Sequence, residues 1–118
     1  LRRPDDWAEL CREFPLDVTA EKRHDWFRTT GRDGAWVMPD WERVAERYDG
    51  VHLTVLGYLG IAGRAIDLGD GRASVIAGWS PDETHWLTDR ARVRDAPVHW
   101  RRVEPNTHPD PDVWRRVD

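Results

Sequence analysis

The sequence predicts an α+β fold in which two or three N-terminal helices pack on one face of a four- to five-stranded, mostly antiparallel sheet. Three observations predict it. Apolar residues in the first fifty positions recur at helical spacing, and from Val51 the period shortens to that of a strand. Gly69-Asp70-Gly71 then sits between two strand-like stretches as a hairpin turn. At 118 residues the chain has the usual size of one domain. The expected organisation is a single domain over 1–118, with a helical part at 4–50, a sheet part at 51–103 and an extended proline-rich tail at 104–118.

The first helix is read over 4–14, where Trp7, Leu10, Cys11 and Phe14 share one face, Asp5 or Asp6 caps the start and Pro15 stops it. A second starts at Thr19 and runs through Trp26 and Phe27 to a loop at Gly31–Gly34. The third, over 39–48, places Trp41, Val44, Ala45 and Tyr48 together and ends at Gly50, with Trp36 in the loop that enters it.

Val51–Leu59 is apolar on both faces and reads as an interior strand. With Ile61–Leu68 and Arg72–Trp79 it forms an expected antiparallel meander. Ser80-Pro81-Asp82-Glu83 has the residues of a helix start, whereas Thr84–Thr88 is better strand material. The reading is one helical turn at 80–83 followed by a strand, with a full helix at 81–91 as the alternative. Val98–Val103 is expected as a fifth strand at a sheet edge, its arginines discouraging further pairing. Three prolines exclude regular structure from 104–112, and Val113 and Trp114 are expected to dock the tail on the body.

Composition bounds the function. The net charge of −4 makes duplex nucleic acid a poor expectation, since phosphate binding draws on basic side chains. Seventeen of the eighteen basic residues are arginine, a skew attributed to codon composition. The basic cluster Arg90, Arg92, Arg94, Arg101 and Arg102 reads as a solvated face. One cysteine, Cys11, excludes an internal disulfide, and no apolar run has the length of a signal peptide or a membrane span. A reducing cytoplasm is therefore the expected location and no membrane association is expected. The first residue is Leu1 rather than methionine, so a trimmed N-terminus is left open.

No sequence pattern specifies a reaction. There is no second cysteine, and the five histidines (24, 52, 85, 99 and 108) are too dispersed for a local ligand pair, so neither a metal nor a cofactor is expected. The glycines at 57–63 lead into what reads as another strand, not into a phosphate-binding helix. The polar candidates are His52, Thr54, Tyr58, Arg64, Asp67, Asp82 and His85. Of these, His52 or His85 beside a carboxylate is suited to acid–base work. Tyr58, Arg64 and Asp82 would contact a polar ligand, with Trp79 and Trp86 as walls. His52, Thr54 and Tyr58 are expected to share one sheet face.

Three function classes follow. The first is a small soluble cytosolic interaction protein of the inhibitor, immunity or accessory-partner type, without catalysis of its own. The second is a small-ligand binder or enzyme using the His, Tyr and Trp residues of the sheet face. The third is a sugar- or base-stacking module built on exposed tryptophans, for which Trp79, Trp86, Trp100 and Trp114 are the available residues.

Overall fold

A computed structural model describes residues 1–104 and 113–117. The class is α+β, with four helices and sheets of two to four strands among those residues. In chain order the elements are α1 (Pro4–Glu13), β1 (Pro15–Asp17), α2 (Thr19–Thr30), β2 (Ala35–Pro39), α3 (Trp41–Ala45), β3 (Gly50–Leu53), α4 (Val55–Ile61), β4 (Ile66–Gly69), β5 (Arg72–Ser74), β6 (Glu83–Trp86), β7 (His99–Arg102) and β8 (Trp114–Val117).

The first two helices form where they are expected, over Pro4–Glu13 and Thr19–Thr30. Arg3 holds the N-cap position of α1 without a side-chain cap bond. Asp6 instead reaches back from the first turn, accepting from the backbone N–H groups of Arg2 (2.6 Å) and Arg3 (3.2 Å). Those bonds, the Arg2 one foremost, hold its carboxyl below the usual range. Gly31 closes α2 at φ 73°, its N–H donating to the Phe27 carbonyl, a left-handed geometry that a side chain would strain. Asp40 caps α3, which is shorter than expected and reaches only Ala45 before a turn at 46–47.

The main sheet has the order β1-β2-β5-β4. Its central pair, β2 and β5, is parallel, and the two outer pairings are antiparallel. Trp36 is therefore not a loop residue: it lies in β2 with 0% exposure. Successive residues of a strand face opposite ways, and here Val37 packs with Trp7, Ala8 and Cys11 of α1 while Trp36 packs with Trp26 of α2. The two long helices thus cover opposite faces of the sheet, which corrects the expectation that the helices share one face. Short three- and five-residue strands next to helices left too little periodicity in the sequence to place β1 and β2.

The expected strand over 51–59 is split. β3 ends at Leu53, and Thr54 caps α4, its hydroxyl accepting from the Gly57 N–H at 3.1 Å. A short apolar run does not distinguish strand from helix by spacing, and here the threonine cap decided. The expected meander is replaced as well. The hairpin around Asp70-Gly71 is present, with both residues at positive φ (54° and 72°), but it is shorter than read and joins only β4 to β5. β3 pairs with β6, which lies thirty residues further on, in a separate two-stranded sheet.

Residues 83–86 are a strand and no helix spans 81–91. The expected helical turn at 80–83 is a non-helical turn, in which Glu83 accepts from the Ser80 N–H at 2.6 Å. β7 is not the edge of a larger sheet. It pairs antiparallel with β8 in a two-stranded ribbon. Trp114 does not dock on the body: it stands 56% exposed in β8, opposite Arg102. The expected irregular tail falls mostly on 105–112, outside the described residues.

The core has an aromatic centre. Trp7, Trp41 and Trp79 meet with ring centroids 6.0–6.2 Å apart, and Trp26 meets Trp36 edge-on at 5.3 Å. Such pairs add to the area their rings bury. Below the first cluster, Ser74 is fully buried and its Oγ accepts from the Trp7 indole N–H at 2.9 Å and from the Cys11 thiol at 3.5 Å.

Candidate functional site

Candidate functional residues occupy three places. On β3 and β6, His52 stands opposite Thr84, and Val51 stands opposite His85. Strand alternation therefore puts His52 and His85 on opposite faces of this small sheet. The two histidines cannot serve one reacting atom.

On the outer face, His52 lies between two partners. Its Nδ1 is 2.6 Å from the Thr84 hydroxyl and its Nε2 is 3.1 Å from an Asp82 carboxylate oxygen. Asp82 is held at φ 61° in the turn before β6, a left-handed position that asparagine and aspartate tolerate better than most side chains. The line hydroxyl–imidazole–carboxylate is open to solvent along its length, with Asp82 the most exposed member.

On the inner face, the His85 ring lies against Trp79 with centroids 4.1 Å apart. Its Nε2 is 3.2 Å from a Glu83 carboxylate oxygen but is not aligned for a hydrogen bond. The Ser80 N–H first, and His85 second, hold the Glu83 carboxyl below its usual range. Trp79, His85 and Trp86 line one shallow groove of about 320 Å³ with Trp41 and Leu87. Trp79 is largely spent on the core through Trp7 and Trp41, whereas Trp86 covers the backbone of Gly50 and is 62% exposed.

Tyr58 and Arg64 join neither group. Because α4 replaces the expected strand, Tyr58 packs on the core from a helix and no longer shares a face with His52. Thr54 is used as a cap, Asp67 accepts from the Gly69 N–H, and Arg64 is exposed in the connection to β4.

The third place is the β7–β8 ribbon, and sequence reasoning missed it as a unit. All eight of its residues are exposed. Register pairs Trp100 with Arg116 and Arg102 with Trp114, so these four residues form a checkerboard on one face. His99, Arg101, Arg115 and Val117 occupy the other face. The signal was present as HWRR and WRRV, two strand-like quartets that share the run Trp-Arg-Arg. The prolines between them concealed the pairing.

No metal-binding group of three or more histidine, cysteine or acidic residues occurs among the described residues. None of their helices is long and apolar enough to cross a membrane. No family model, curated protein or solved structure matches this chain.

Proposed function

We propose that this chain is a small cytosolic protein-interaction module that acts by binding rather than by catalysis, with the β7–β8 ribbon as its contact element. One observation carries the reading. Trp100 and Trp114, 57% and 56% exposed, share a ribbon face with two arginines. Tryptophan and arginine are the residues that most often anchor protein interfaces, because each brings a large contact area with a directional polar group. A bare two-stranded ribbon is marginal in water, so docking would also stabilise the element itself.

The test is affinity capture from the native host with tagged wild type and a Trp100→Ala/Trp114→Ala variant. The expected result is a stoichiometric protein complex with the wild type, weakened at least roughly thirtyfold in the variant at unchanged thermal stability. Equal capture by both proteins, or a wild type that engages nothing, overturns the reading.

The small-ligand reading is supported by the Thr84–His52–Asp82 line, in which an imidazole is placed to exchange a proton with a hydroxyl. It requires ligand-dependent changes in the His52 ring signals by NMR that His52→Ala and Asp82→Asn each remove. A ring that titrates unaltered across a panel of small polar ligands rejects it.

A further inference from the structure

We infer that the open edge of β3, where it faces α1, takes an extended basic peptide segment as an added strand. This surface is separate from the ribbon and does not depend on it.

β3 pairs on one side only, with β6. The register sets Val51 opposite His85 and Leu53 opposite Glu83, and the bond from the Leu87 N–H to the Asp49 carbonyl at 2.8 Å marks this odd-numbered row as the hydrogen-bonded one. In such a ladder bonded and non-bonded pairs alternate, so Gly50, His52 and Thr54 turn their main-chain groups to the opposite edge.

Part of that edge is already used, and the use shows how a strand sits there. The His52 carbonyl accepts from the Leu1 amino group at 2.7 Å, and the Thr54 N–H donates to the Leu1 carbonyl at 3.1 Å. Together these are one rung of a parallel ladder, with Leu1 beside Leu53. The next rung, beside Val51, needs the Gly50 carbonyl and the His52 N–H, and neither has a partner among the described residues.

Space lies in front of that rung. A groove of about 280 Å³ separates β3 from α1, with Leu1 among its lining residues. From Gly50 to His52 the strand covers about 7 Å, room for two or three residues of extended chain. Leu10 and Tyr48 offer an apolar surface to such a chain.

The charge of the lining selects the occupant. Asp6, Glu9 and Glu13 line the groove, and no arginine or lysine does. Two of these carboxylates are already met. Asp6 accepts from the Arg2 and Arg3 N–H groups and lies 3.8 Å from the Arg3 guanidinium, and Glu13 is bridged by Arg47. Glu9 is exposed and has no partner among the described residues. A lysine or arginine on the α1 side of an added strand meets Glu9, whereas an acidic segment meets three carboxylates. In this mode of recognition main-chain bonds supply affinity and side chains supply selection.

The test is NMR with amide hydrogen exchange on the full chain, titrated with an acetylated and amidated hexapeptide of alternating valine and lysine and with its valine–glutamate counterpart. In the free protein the His52 amide is expected to exchange rapidly, while those of Val51 and Leu53, bonded to β6, are protected. The lysine peptide is expected to slow exchange at His52 at least roughly tenfold. Glu9→Gln is expected to weaken its binding about two- to fivefold, the size that an exposed ion pair allows. The Trp100→Ala/Trp114→Ala variant is expected to bind it as the wild type does.

A His52 amide that is already protected in the free protein, or that stays unprotected at the highest peptide concentration, overturns the proposal. Equal binding of the lysine and glutamate peptides overturns it, as does equal binding by wild type and Glu9→Gln. Protection of His52 that grows with protein concentration in the absence of peptide also overturns it, and names a second copy of the chain as the occupant.

Discussion

Ser74 shows how one buried hydroxyl organises its neighbours. It is fully buried and accepts from both Trp7 and Cys11. Replacing it with alanine leaves the Trp7 indole N–H in the core without that acceptor, at a cost of about 1–3 kcal/mol. Ser74→Ala is expected to lower Tm by roughly 4–12 °C in a calorimetric scan. A change below about 2 °C would mean that the indole finds another acceptor.

Cys11 belongs to the same network, and burial pushes its thiol up from 9.0 to about 11. The native protein therefore holds this proton more tightly than the unfolded chain does. Its contribution to stability is complete below pH 9 and is lost as pH rises toward 11. Cys11→Ser is expected to flatten the fall in Tm across that window. Native Cys11 is also expected to resist thiol reagents at pH 8, reacting at the rate of global unfolding, because attack needs an exposed thiolate. Rapid stoichiometric labelling of the folded protein would contradict this placement.

At the scale of the element, α4 shows where local sequence and tertiary contact oppose each other. Helix propensity alone says that alanine improves either of its interior glycines by up to about 1 kcal/mol. A Cβ on Gly57 would sit 2.6 Å from the Leu1 carbonyl oxygen, whereas one on Gly60 meets nothing closer than Pro4 at 3.7 Å. Gly57→Ala is therefore expected to destabilise by about 1–3 kcal/mol, and Gly60→Ala to be neutral or stabilising. Denaturant melts of the two variants check the sign of each. Equal shifts would show that the contact with Leu1 does not constrain the helix.

The same element shows what was legible. The stripe that makes α1, the start and stop of α2 and the glycine turn at 69–71 could be read directly, because caps and turns are short-range. The run VLGYLGI could not, since it is apolar whichever way it is wound. Leu56 on α4 is 77% exposed, so burial did not follow hydrophobicity there. His52 has Asp82 beside it but shares its face with neither His85 nor Tyr58, because its companions depend on β3 pairing with β6.

At the scale of the whole molecule, the shape is extended. The radius of gyration is 18.9 Å and the extents are 58 × 34 × 24 Å, against a radius of about 13–14 Å expected for a compact chain of this length. The ribbon and the connection at 90–98 are exposed throughout the described residues. The link from Arg90 to Asp49 is a solvent-exposed ion pair at 3.6 Å, of a kind worth at most about 1 kcal/mol. A chain ending at Asp89 is thus expected to keep the Tm of the full chain within about 2 °C and to retain the amide spectrum of the body. Loss of folding would show that the ribbon supports the core.

What the sequence by itself determined is the set of short-range features: the class, the first two helices, the stop at Gly31, the Asp70-Gly71 hairpin and a strand that was read at 84–88 and is found at Glu83–Trp86. Each follows from spacing, caps or turn residues within about ten positions. Only the tertiary structure decided that α1 and α2 lie on opposite sides of the sheet, that β2 runs parallel to β5, and that two Trp–Arg quartets eleven residues apart close into one ribbon. Those outcomes depend on which strand meets which. Pairing is chosen by the burial and hydrogen bonding of the assembled chain, a property that no local window contains.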